Sequence, residues 1–143
     1  MLIDAILARK GRTVISIRPD KPVSAAVALL AEHRIGAVVV EDRDRIAGIF
    51  SERDLVKLLA RTGAAGLNEP VRSVMSSPVI TCAPGDRIDQ VMASMDKHHV
   101  RHMPVTEDDR MVGIVSLRDL GRHRLNEKEL ETATLLDISR RHG

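Results

Sequence analysis

Displaced against itself by 65 positions, the chain pairs residues 14–55 with residues 79–120 without a gap, and 14 of the 42 pairs are identical. Average composition would leave about two or three such matches. The identities run through the whole window, from Val14/Val79 and Pro19/Pro84 through His33/His98 and Gly48/Gly113 to Ser51/Ser116, Arg53/Arg118 and Asp54/Asp119. A solenoid needs at least three units to close its core, so two copies predict a pair packed face to face about a pseudo-twofold axis. With 143 residues, 43% of them hydrophobic, the chain has room for one such module and for no large multidomain enzyme.

Each copy reads as β-α-β-β-α, which predicts an α+β fold. A short strand, Val14 to Ile17 or Val79 to Cys82, runs into a Pro turn in which Asp20 or Asp86 stands where a helix cap would. Val23, Ala26, Val27 and Leu30 then recur at helical spacing, and Ile88, Val91, Met92 and Met95 repeat the stripe. Two apolar strands follow, Ile35 to Val40 and Ile46 to Phe50, about the charged turn Glu41 to Arg45. Val100 to Val105 and Met111 to Val115 do the same about Glu107 to Arg110. A last helix starts at Ser51 or Ser116.

The expected organisation is a first repeat over 5–60, a linker and lead-in helix over 61–76, a second repeat over 77–124 and a helical tail over 125–143. Gly63, Gly66 and Pro70 break the linker, and Val71 to Met75 leads into the second copy, as residues 1–11 lead into the first. The tail from Asn126 to His142 is too short an amphipathic helix to stand alone, so it is expected to dock on the module or on a partner chain.

Composition excludes several function classes. Phe50 is the only aromatic residue besides histidine, so a bound base would lie between aliphatic side chains, and RNA-stacking modules are disfavoured. Lys and Arg number 22 against 20 Asp and Glu, well mixed, which describes a solvated surface and not a nucleic-acid-coating tail. Arg118, Arg122, His123, Arg124, Arg140 and Arg141 would carry a nucleic-acid role, but acids are interleaved with them. Cys82, the single cysteine, allows no intrachain disulfide and no cysteine zinc cluster and reads as a buried strand residue, so a cytoplasmic location is expected. Asp4 interrupts the apolar start and no run approaches 18 apolar residues, so neither an export signal nor a membrane span is expected.

The densest match is Gly48 to Asp54 against Gly113 to Asp119. A strand ends in Gly, Ser follows at a helix start where free N–H groups favour an anion, and Asp lies in the first turn. Such a carboxylate accepts two hydrogen bonds from a vicinal diol, while Ser and Arg suit phosphate. The plain alternative is a capping box in which Ser51 or Ser116 caps and Asp54 or Asp119 sits at the third position. A cap by itself needs no Arg, yet Arg53 and Arg118 recur with it.

With these residues, and with His102-Met-Pro-Val105 on the second middle strand and Pro70 to Met75 before it, the chain resembles a tandem pair of CBS (cystathionine-β-synthase) domains, the Bateman module, over roughly residues 5–122. The resemblance implies a disc-like, non-catalytic sensor that binds adenosine-containing ligands (AMP, ADP, ATP, NAD(H) or S-adenosylmethionine) in two crossed clefts, with AMP foremost. Carried onto this chain, one cleft would use Ser51, Arg53 and Asp54 with Pro78, Val79, Arg101 and His102. The other would use Ser116, Arg118 and Asp119 with Thr13, Val14, Gly36 and Ala37. The first would then hold phosphate more tightly, having Arg101 and His102 where the second has Gly36 and Ala37. The family commonly carries Arg where His102 stands, so phosphate affinity is expected to fall as pH rises through the histidine titration. A homodimer and an unidentified regulated partner are also implied.

The remaining signals weigh less. His98, His99 and His102 have a spacing that brings two of the three together, but the pair ends a helix, where a cation suits the dipole, and no metal site is expected. Met75, Met92, Met95, Met103 and Met111 read as core filler, with Met103 the one that could reach an adenine face. No Gly-x-Ser-x-Gly, Gly-x-Gly-x-x-Gly, Gly-Lys-Ser/Thr or His-Glu-x-x-His motif is present, and a helix-start Ser without an adjacent His base is an unactivated nucleophile. No enzyme activity is expected. A structural adaptor that binds no ligand is the alternative.

Overall fold

A computed structural model of the chain describes residues 1–125; the expected tail helix, with Arg140 and Arg141, lies outside them. The helices are α1 (Ile3–Lys10), α2 (Val23–His33), α3 (Glu52–Thr62), α4 (Ile88–His98) and α5, helical from residue 117 to the last described position. The strands are β1 (Ser16–Ile17), β2 (Ala37–Asp42), β3 (Arg45–Ser51), β4 (His102–Glu107) and β5 (Arg110–Ser116). In the first repeat β1 pairs parallel to β2, and β2 antiparallel to β3; in the second, β4 and β5 form the antiparallel pair.

The repeat holds down to single bonds. Arg43 and Asp44 at one hairpin tip, and Asp108 and Asp109 at the other, all have φ between 51° and 64°, which is what a tight two-residue hairpin turn requires. A bulge follows Val40 in one copy and Val105 in the other, 65 positions apart. The Glu52 amide donates to Gly36 O at 3.1 Å and the Leu117 amide to Arg101 O at 2.8 Å, so each last helix starts against its own middle strand.

Two expectations change. The strand over Val79 to Cys82 shrinks to one parallel bridge between Cys82 and Val105, and β1 keeps only Ser16 and Ile17 of its four residues. Asp20 and Asp86 cap nothing: α2 and α4 begin at Pro22 and Arg87 without a side-chain cap. The lead-in segments meet that need instead, as the Val23 amide donates to Glu69 O at 2.9 Å and the Ile88 amide to Met1 O at 3.1 Å. Asp86 turns its carboxylate back to the Ala83 amide and closes the preceding turn.

Those lead-ins exchange places. Residues of α1 (Ile3, Ile6 and Leu7) belong to the core of the second repeat, with Val91, Met95, Met103 and Val115. Val71 belongs to the core of the first, with Val23, Val38, Phe50 and Leu58, and Leu67, Val74 and Met75 pack against that core. Each therefore covers the glycine of the opposite helix-start motif. A Cβ on Gly113 would sit 2.6 Å from Leu7 Cδ2, and one on Gly48 would sit 2.5 Å from Met75 Sδ.

Leu7 is fully buried, so Leu7→Ala is expected to cost about 2–5 kcal/mol in urea unfolding. The loss of amide-exchange protection is expected in β4 and β5 more than in β2 and β3, although α1 precedes the first repeat. Equal loss in both hairpins would contradict the exchange.

Candidate functional site

Both helix-start motifs form capping boxes. At α3 the Ser51 amide donates to Asp54 Oδ2 at 2.9 Å, Ser51 Oγ donates to the same oxygen at 3.1 Å, and the Asp54 amide faces Ser51 Oγ at 3.4 Å. At α5 the Ser116 amide donates to Asp119 Oδ2 at 2.9 Å and the Asp119 amide to Ser116 Oγ at 3.1 Å. The capping reading thus holds at both helix starts. It does not exhaust the carboxylates, because each also borders a cavity between the repeats.

A lead-in segment reaches each of them. Ser76 Oγ donates to Asp54 Oδ1 at 2.8 Å. Lys10, at the end of α1, donates to Asp119 Oδ2 at 2.6 Å and to Ile114 O at 3.0 Å. Burial would raise the Asp119 carboxyl, but the hydrogen bonds from Lys10 and Ser116 outweigh it and hold the group below the ordinary carboxylate range. Neither Ser76 nor Lys10 falls inside the aligned repeat window, and nothing in the chain marks them as site residues.

The first cavity, about 490 Å³, is lined by Ser51, Arg53, Asp54 and Lys57 of one repeat and by Pro78, Val79, Ile80, Val100, Arg101 and His102 of the other. All seven residues expected for this cleft border it. The second cavity, about 1070 Å³, is lined by Ser116, Arg118 and Asp119 opposite Thr13, Gly36 and Ala37, with Lys10, Arg34 and Arg122 added. Val14 does not line it. Its neighbours Thr13 and Ile15 do, as alternation along an extended segment requires.

The premise of the expected asymmetry, that Arg101 and His102 belong to one cleft alone, does not hold. Arg101 and His102 line both cavities, as do Gly36 and Glu52, so these four form a shared wall. Gly36 explains how: a Cβ there would lie 3.1 Å from His102 Nε2, so the bare glycine of one copy makes room for the imidazole of the other. Arg101 and His102 therefore give the Asp54 cleft no exclusive hold on phosphate.

Other residues resolve as follows. The Arg53 guanidinium donates to His99 O at 3.0 Å, tying α3 to the left-handed residue that ends α4, so part of its capacity is spent between the repeats. Met103 is 1% exposed in the second core and lines neither cavity, which removes it as a contact for a base. His98 bonds through Nδ1 to Ser94 O within its own helix. Cys82 is buried, and burial with the nearby Asp86 pushes its thiol up to about 12. No described helix is long and apolar enough to cross a membrane.

Two repeats, each with an antiparallel hairpin and with an acidic residue at the start of its last helix bordering a cavity between them, define a class of two-domain fold. The CBS domain profile matches residues 10–61 and 71–125, and the chain belongs to that family as a tandem pair. It is 27% identical over 126 residues to the CBS domain-containing protein YhcV of Bacillus subtilis, covering 88% of this chain and 89% of that one. Several other relatives are longer, and the chain spans less than two thirds of their length. The crystal structure of a CBS-domain-containing protein from Agrobacterium tumefaciens superposes with a TM-score of 0.84 at 41% identity, over 87% of this chain and 99% of that chain. The CBS domain pair of protein MJ0100, solved with 5′-methylthioadenosine and S-adenosyl-L-methionine, superposes with a TM-score of 0.79 at 26% identity, over 89% of this chain and 98% of that chain.

His102 is depressed below its ordinary 6.5, first by burial and then by Lys10, against the opposing pull of Asp119 and Glu52. At neutral pH it is an uncharged ring. Since the unfolded chain takes up this proton first, stability falls as pH drops through about 6.5 and levels off once the folded ring is protonated. Imidazole NMR titration is expected to place His102 below 6.5, and His102→Gln to flatten the urea-midpoint profile across that window; a midpoint at or above 6.5 contradicts the burial argument.

Proposed function

We propose that the chain is a non-catalytic regulatory module whose two clefts bind adenosine-containing ligands and pass occupancy to a partner as a population shift. The observation that carries this reading is that each capped carboxylate opens on a cavity whose facing wall comes from the other repeat. A ligand seated there touches both halves at once and so distinguishes one arrangement of them from another. Ile49, Val79, Ile80 and Val100 offer aliphatic walls for a base where aromatic residues are lacking. A carboxylate has about four acceptor positions. Asp54 already accepts from Ser51 and Ser76, so a ribose diol would take over the place of the Ser76 hydroxyl. The adenosyl ligands held by the MJ0100 pair support this ligand class.

The ligand-free adaptor is the competing reading, favoured by the fact that Asp54 and Asp119 already have partners inside the fold. Thermal shift separates the two. AMP, ATP, NAD(H) or S-adenosylmethionine at about a hundred times its dissociation constant adds about 2.7 kcal/mol to a sensor and nothing to an adaptor. Asp54→Ala is expected to cost about 1–3 kcal/mol, because the Ser51 amide and the Ser51 and Ser76 hydroxyls lose their acceptor, and to abolish binding in its own cleft, leaving the Asp119 cleft occupied in titration calorimetry. Unchanged two-site binding in that variant refutes the assignment.

Self-association accompanies the proposal. Val56 is 66% exposed and Leu59 39% exposed on α3, a face suited to a second copy about a twofold. Light scattering is expected to give twice the chain mass, and Val56→Glu to give the monomer.

A further inference from the structure

The two carboxylates hold different kinds of partner. Asp54 is met by neutral donors only, the Ser51 amide and the Ser51 and Ser76 hydroxyls, and no described ion pair engages it. Asp119 is paired with the Lys10 ammonium, so its charge is cancelled where a ligand would meet it. The surroundings differ in the same direction. In the Asp54 cleft Arg53, Lys57 and Arg101 face Glu52 and Asp54, and Arg53 is already tied to His99 O. In the Asp119 cleft Arg34, Arg101, Arg118 and Arg122 face Glu52, and none of the four makes an ion pair among the described residues.

We propose that Lys10 is a specificity-determining residue that makes the Asp119 cleft the site for a polyphosphate chain, leaving the Asp54 cleft to ligands with one phosphate or none. The chemistry is direct. A bare carboxylate beside phosphate repels it, and pairing with Lys10 removes that repulsion. An ammonium has three donors; Asp119 and Ile114 O take two, and the third is available to a phosphate oxygen. The larger cavity, about 1070 Å³ against about 490 Å³, also accommodates the longer chain.

This inference rests on the proposed function for its ligand class, so its probe is inorganic tripolyphosphate, which has neither base nor ribose. Calorimetry is run on the full chain at low salt with tripolyphosphate and, separately, adenosine, and the Ser116 and Arg118 amide shifts report filling of the Asp119 cleft. Tripolyphosphate is expected to bind there in the unaltered protein, to weaken at least about tenfold in Lys10→Met through loss of a charge-assisted contact, and to be largely retained in Lys10→Arg. Adenosine binding at Asp119 is expected to hold or tighten in Lys10→Met, because the carboxylate is released. Equal tripolyphosphate affinity in Lys10→Met, equal loss in Lys10→Arg, or no binding to the unaltered protein overturns the assignment. Lack of adenosine and adenine-nucleotide binding with the tripolyphosphate pattern intact overturns the proposed function and leaves the role of Lys10 standing. Lys10 is a surface residue, so matching unfolding curves confirm that Lys10→Met folds.

Discussion

Each repeat of this chain is closed by the segment that precedes the other one. Leu7 lies on Gly113 and Met75 on Gly48, at contacts so close that a methyl group on either glycine would force its neighbour to shift. Ile3, Leu7 and Val71 are fully shielded from water in that exchanged arrangement. Each core takes in the lead-in of the other repeat, so the hydrophobic term that folds each half also fixes one half against the other. The clefts at the seam inherit that registration.

The helix starts serve two ends with one set of atoms. Ser51 and Asp54, or Ser116 and Asp119, satisfy the orphan amides of a first turn, and the same carboxylates border the cavities. Protein–protein hydrogen bonds there would be exchanged for protein–ligand ones, so the net gain per bond is small. On the proposed reading, selectivity lies with what surrounds the carboxylates. Ser76 belongs to the segment that closes the first repeat, and Lys10 to the helix that closes the second. A ligand group that replaced either donor would act on the element that completes a core, and the proposed route from occupancy to shape would run through it.

The centre of the module shows how a duplicated chain escapes strict symmetry. Gly36 and Arg101 are related by the repeat, as are Ala37 and His102. Four large side chains could not share the wall between the clefts, and the copies divide the space, with one leaving it empty and the other filling it. The consequence is that Arg101 and His102 face both clefts.

Much of this was legible in the residues themselves. The 65-position repeat, the two hairpins, the helical stripes and the capped Asp motifs are local or periodic, and local chemistry determines them: alternation, helical spacing and the needs of an orphan amide. That cleft residues lie on opposite repeats was readable only through the resemblance to a family. Other features depended on which segment meets which. The exchange of lead-ins, the ties of Lys10 to Asp119 and Ser76 to Asp54, and the shared wall join residues 22 to 109 positions apart, and no periodicity records such pairings. Val14 turned aside because an extended segment shows alternate side chains to one surface, and only the packed neighbour decides which set. The chain by itself determined two folding units and the chemistry of their helix starts; the tertiary structure alone decided which unit each lead-in completes, because burying an apolar face is a choice among partners that only the assembled core can make.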